Sequence, residues 1–139
     1  MPPLTRLFLK VSLIWFSLSL LVGLALAANA VWDLPPVVGM LNPVFFHFFL
    51  VGWVTQLIFG VVFWMFPKYT VEKPRGHESL AWATFWLLNI GLVLRAFGEP
   101  MQALQPSALW GWALALSALM QWAAGLLFVF NTWGRVKER

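Results

Sequence analysis

Four long runs of apolar residues alternate with short polar breaks along the chain. The first, about Val11 to Val31, follows Arg6 and Lys10 and closes at Trp32, Asp33 and the Pro35-Pro36 pair. The second runs from about Pro43 to Phe66, with Pro43 suited to a first helical turn and Pro67 to a stop. The third covers about 79–97 and the fourth about 107–132. A helix needs about 20 apolar residues to cross a hydrocarbon layer of about 30 Å, so each run predicts one span. The pattern predicts an all-α integral membrane four-helix bundle, with residues 1–139 forming a single transmembrane domain. The basic start of the first run and its Ala25-Leu26-Ala27 and Ala28-Asn29-Ala30 steps also resemble a secretory leader. Its apolar part is longer than a leader core, which favours a retained span.

Charge turns this pattern into a topology. Two Lys/Arg precede the first span (Arg6, Lys10), three lie between the second and third (Lys68, Lys73, Arg75) and three follow the fourth (Arg135, Lys137, Arg139), against Arg95 alone on the other side. That asymmetry predicts both termini in the cytoplasm, in a multi-pass protein of the cell's inner (plasma) membrane, with Asp33, Arg95 and Glu99 toward the outer face. A composition 61% hydrophobic and 10% charged excludes a water-soluble core. The pI of about 10.2 is accounted for by the same basic loops, and no nucleic-acid module accompanies it. Without cysteine there is no disulfide framework, no thiolate metal site and no covalent haem attachment. Trp32, Trp110, Trp112 and Trp133 fall near span ends, where an amphipathic ring is favoured.

Candidate chemistry is confined to polar residues inside apolar helices, each costly enough in hydrocarbon to need a partner or a purpose. His47 stands among Phe45, Phe46, Phe48 and Phe49 early in the second span. Such an imidazole is either an axial haem ligand or an interfacial histidine bonded to a neighbouring helix. Arg95 is predicted at the same depth, where it can hold a haem propionate or pair with Glu99 one turn on. Gly52, Gln56 and Gly60 form a small-polar-small row that brings another helix close, and Ser117, Gln121 and Gly125 repeat the spacing. Thr55, Thr84 and Asn89 are further candidates for interhelical bonds. His77 is expected to be a solvated loop or helix-start residue, about one membrane thickness from His47, so one haem cannot use both. The chain alone is expected not to be catalytic, since one intramembrane histidine cannot build a binuclear haem-copper centre.

The run His47-Phe48-Phe49-Leu50-Val51-Gly52-Trp53-Val54-Thr55-Gln56-Leu57-Ile58-Phe59-Gly60-Val61-Val62-Phe63-Trp64-Met65-Phe66-Pro67 resembles the histidine-bearing helix of membrane proteins related to the haem-copper oxidase and nitric-oxide reductase catalytic subunit, the cbb-type branch included. It also resembles helices of the NnrS-type nitric-oxide-response haem proteins. The resemblance covers one helix and its exit. It implies haem b, with His47 as iron ligand and Arg95 as propionate partner, in respiratory electron transfer or the handling of NO or O2. It further implies self-association or membership of a larger respiratory complex, with a diatomic gas as a possible ligand. The alternative is a haem-free accessory subunit packed against such a complex.

Overall fold

The computed structural model describes residues 1–71 and 74–136. Lys73, Lys137 and Arg139, counted above among the basic residues, lie outside the described residues. All regular structure in the described residues is helical. The spans are α1 (Pro3–Asn29), α3 (Asn42–Met65), α4 (Glu78–Leu104) and α5 (Ala108–Trp133), with α2 (Pro36–Gly39) a single turn between the first two. All four spans are long and apolar enough to cross a membrane.

Two boundaries differ from the hydropathy pattern. α1 begins at Pro3 rather than Val11, because a proline at the first helical position is already preset for the helix and has no N–H to leave unpaired. Arg6 and Lys10 therefore lie within its first turns, both exposed. α4 continues through Pro100 to Leu104 rather than ending at Phe97. That proline forfeits only the bond to the carbonyl one turn back, while the Arg95–Glu99 pair and the seating of Gly98 against Leu114 hold the turn.

Packing follows small residues, as expected where lipid removes the hydrophobic drive between helices and close approach must supply the attraction. Along α1, Thr5, Phe8, Ser12, Trp15 and Ser19 are buried at alternating three- and four-residue steps, with the two large rings between small hydroxyl residues. Those rings sit over glycines of α3: a Cβ on Gly60 would come 2.7 Å from Phe8 Cβ, and one on Gly52 would come 2.7 Å from Trp15 Cγ. Gln56, between the glycines and fully buried, donates to the carbonyl of Phe8 at 3.4 Å. The helix recruited by the Gly52, Gln56, Gly60 row is thus α1 of the same chain.

From His47 to Thr55, α3 is wound as a wider π-helix before returning to α-helix at Gln56. This keeps its contact face straight. Four residues overshoot a 3.6-residue turn but fall short of a π turn, so opposite drifts offset and Phe48, Gly52, Gln56 and Gly60 all stay buried on one side.

α4 and α5 form the second antiparallel pair and share the most extensive helix contact. Gly91 lets them approach: its Cβ would meet Gln121 Cγ at 2.9 Å and the Ser117 carbonyl at 3.2 Å. Ser117 Oγ donates to the Gly91 carbonyl at 2.6 Å, whereas Gly125, third in that row, faces open space. Only a narrow stripe of α5 is buried, Ser117, Ala124, Asn131 and Thr132. The two pairs meet mainly where α3 crosses α4, and α5 barely reaches α3. Exposed large apolar side chains such as Leu21, Leu24, Trp122 and Phe130 cover the outside, as lipid contact requires.

Candidate functional site

The antiparallel order brings His47, one turn into α3, next to the far end of α4, where Arg95 and Glu99 lie one turn apart. The sequence placed His47 and Arg95 at one depth, and the structure joins them through Glu99. Arg95 Nη1 donates to Glu99 Oε1 at 2.9 Å, and His47 Nδ1 lies 3.6 Å from that same oxygen. The three groups are neither sealed nor open: their side chains are 28% (His47), 19% (Arg95) and 11% (Glu99) exposed. Arg95 Nε also donates to Ser117 Oγ at 3.4 Å, and Gln121 Nε2 donates to the same hydroxyl at 3.1 Å. A continuous polar chain therefore runs from α3 across α4 to α5.

Of the two partners open to Arg95, the structure shows Glu99. This pairing lets two charges lie at a depth where either alone would be expensive, since each offsets the other's lost hydration. It is not saturated. Among the described residues, Glu99 Oε2 is buried without a hydrogen-bond partner and Arg95 Nη2 and His47 Nε2 make no hydrogen bond.

His47 Nδ1 is 2.9 Å from the carbonyl oxygen of Pro43, one turn back. With Nδ1 donating to that carbonyl, the ring is fixed in the tautomer whose Nε2 carries a lone pair. Pro43 is accordingly a positioning residue as well as a helix starter.

A haem would need an axial ligand, a flat apolar bed and partners for two propionates. His47 meets the first requirement, with one nitrogen anchored and the other free. Phe46 and Leu50, both about half exposed, supply apolar surface beside it. The third requirement is met only by Arg95 Nη2, and Glu99 stands close enough to repel a propionate. A cavity of about 630 Å³ lies at the opposite end, and the exposure of Phe46 and Leu50 puts a planar group on His47 at the outer surface of α3. Among the described residues, no three or more His, Asp or Glu side chains converge to hold a metal ion.

Elsewhere the sequence reading was partly met. Asn89 does bond across helices, accepting from Trp15 Nε1 at 2.7 Å, while Thr55 and Thr84 donate back to their own helices at Leu50 and Leu80. His77 is the residue that precedes α4, as expected of a helix-start group.

Arg135 went unnoticed except as a topology charge. It is almost fully buried and donates to three backbone carbonyls, from Nε to Pro67 at 3.0 Å, from Nη1 to Phe63 at 3.1 Å and from Nη2 to Phe66 at 2.8 Å. The only sequence signal was indirect: Pro67 ends α3 and leaves its last carbonyls needing donors. Burial, and after it the charge of Arg75, lower the Arg135 pKa from its ordinary value. A guanidinium so shifted still carries its charge at neutral pH.

No family model matches this chain, and neither a curated protein nor a solved structure matches it.

Proposed function

We propose that this chain is a small b-type haem-binding membrane protein of electron transfer or NO/O2 handling, in which His47 supplies an axial ligand through Nε2. The observation that supports this best is the state of the imidazole. Its Nδ1 is held at 2.9 Å by the Pro43 carbonyl with Glu99 beyond it, and its Nε2 has no partner among the described residues. Metal-ligating histidines are oriented in this way, by a second bond from the other ring nitrogen to a carbonyl or carboxylate. The π-helical turn that starts at His47 is a further pointer, since such turns are frequent at functional positions.

In this reading Phe46 and Leu50 form the apolar bed, Pro43 and Glu99 set the tautomer, and Arg95 Nη2 takes a propionate. Haem bound there would supply one-electron chemistry or an iron for a diatomic gas. With one intramembrane histidine per chain, a second protein ligand to such a haem would have to come from Met40, Met101 or His47 of a second copy, and without one the iron would be open to a diatomic gas. Placement on the outer surface of α3 favours a homo-oligomer or a larger respiratory complex as the other wall. In this reading both termini lie in the cytoplasm and the membrane is the cell's inner (plasma) membrane, an orientation supported by the Lys/Arg bias of the connections.

Purification with ample haem supply tests the reading. A Soret band is expected in the wild type, lost in His47→Ala and weakened in Arg95→Ala by about 1 to 3 kcal/mol of binding free energy. A bis-imidazole low-spin spectrum at half a haem per chain would assign the sixth ligand to a second His47. A high-spin spectrum that shifts with CO or NO would assign an open position. Full haem content in His47→Ala would overturn the assignment. A colourless wild type would leave the second reading, a haem-free accessory subunit of a respiratory complex. The Arg95–Glu99 bond favours that reading, because it satisfies Arg95 without any cofactor.

A further inference from the structure

A cavity of about 630 Å³ opens at the end of the bundle that carries both termini. Its volume is that of a small-molecule site, for which about 300 to 1,000 Å³ is usual. One wall is the connection between α3 and α4, with Tyr69, Gly76 and His77; the other is the last turn of α5, with Phe130, Asn131, Trp133 and Gly134. Two glycines let these walls close on each other. Gly76 adopts a left-handed φ of 72°, and a Cβ there would come 2.7 Å from Asn131 Oδ1. At Gly134 a Cβ would come 2.6 Å from Tyr69 Cε2, so only glycine lets the Tyr69 ring lie on the end of α5.

Among the described residues, the polar equipment of this cavity is incompletely used. Asn131 is 9% exposed, and its Oδ1 accepts from the His77 backbone N–H at 2.9 Å. Its Nδ2 donor, the Tyr69 hydroxyl and the His77 ring make no hydrogen bond among the described residues. Among the described residues, no Lys, Arg, Asp or Glu lines the space. A second, apolar groove of about 280 Å³ adjoins it, lined by Ile58, Val62, Phe66, Phe128 and Thr132, and shares Val129 and Trp133 with the cavity. That groove lies between the ends of α3 and α5 on the lipid-facing side.

A ligand that fits both spaces has a neutral, flat, hydrogen-bond-accepting head and a long apolar tail. We propose that the cavity binds the head of a membrane quinone, its carbonyl oxygens accepting from Asn131, His77 and Tyr69 beside Trp133, with the isoprenoid tail along the groove past Val129. The proposal concerns binding alone and does not rest on haem: His47 lies at the other end of the bundle, so either assignment can fail without the other.

Photolabelling of the full chain in nanodiscs with an azido-substituted short-chain benzoquinone tests it. Labelling is expected to saturate, to map to peptides holding Tyr69–His77 and Val129–Trp133, and to be displaced by decylubiquinone. Tyr69→Phe and His77→Ala should each weaken the apparent affinity about five- to tenfold, the worth of one hydrogen bond, with thermal stability unchanged. His77→Ala keeps the backbone N–H that Asn131 binds, so the fold is spared. Unsaturable label spread over the lipid-facing helices would overturn the proposal, as would affinity unchanged in both variants. Displacement by short-chain phosphatidylglycerol as effective as that by decylubiquinone would overturn it too, and would assign the cavity to a phospholipid headgroup.

Discussion

Two arginines close the opposite ends of this bundle in different ways. Arg95 bonds to side chains: a carboxylate on its own helix and a hydroxyl on α5, with one guanidinium nitrogen to spare. Arg135 bonds to three carbonyls in the last turn of α3 and just past it, those of Phe63, Phe66 and Pro67, and uses all three nitrogens. The first arrangement depends on another side chain for its charge balance and leaves Glu99 Oε2 and His47 Nε2 available. The second serves the backbone, which no substitution can alter, and engages every guanidinium nitrogen. Reactive or binding capacity is expected where polar groups are partly satisfied, and stability where they are saturated.

The largest effect should come from the saturated arginine. Arg135→Met removes the donors of three carbonyls at the end of α3. It is expected to cost about 2 to 4 kcal/mol in detergent unfolding, with only partial recovery in Arg135→Lys. A neutral Arg135→Met would break the comparison outright. Next come the helix contacts: Gly52→Leu and Gly60→Leu should each cost about 1 to 3 kcal/mol by overpacking against Trp15 and Phe8. Gly111→Leu and Gly125→Leu, which meet nothing within 4 Å, should be close to neutral. Because the glycine row faces α1 of the same chain, the size of the particle in detergent should not change.

The sharpest contrast is a rescue experiment. Arg95→Ala leaves the Glu99 carboxylate buried and unpaired and should cost about 1 to 3 kcal/mol. Adding Glu99→Gln should restore most of it, since removing both members of a buried pair is far cheaper than removing one. No second substitution can rescue Arg135→Met. If the Arg95 double variant were as unstable as the single one, the pair would not be the unit described. A smaller effect is expected for Asn89→Leu, which keeps the volume and loses the 2.7 Å bond from Trp15 Nε1. Polar bonds between membrane helices average about 0.6 kcal/mol, so the melting temperature should fall only slightly.

How far the site was legible depends on the range of the interaction. Glu99 was visible as a partner of Arg95 because i and i+4 are neighbours on any helix. Its approach to His47 was not, because it depends on how α3 crosses α4. Gln56 announced itself as a polar residue that must be buried, but its acceptor, the Phe8 carbonyl, lies 48 residues away. The π-helical turn at His47–Thr55 left no signature in a run of apolar residues, since it serves the contact with α1 rather than any local preference.

By itself, the sequence determined the all-helical character, the number of spans and the turns between them, because backbone groups in lipid must bond within their own segment and about 20 apolar residues suffice to cross. Only the tertiary structure decided which faces meet. Phe8 and Trp15 found Gly60 and Gly52, the tail's Arg135 found the open carbonyls of α3, and Asn131 drew the His77 loop over a cavity. In a chain apolar on nearly every face, hydrophobicity cannot choose among helix pairings. Steric fit at a few small residues and the pairing of a few polar groups make that choice.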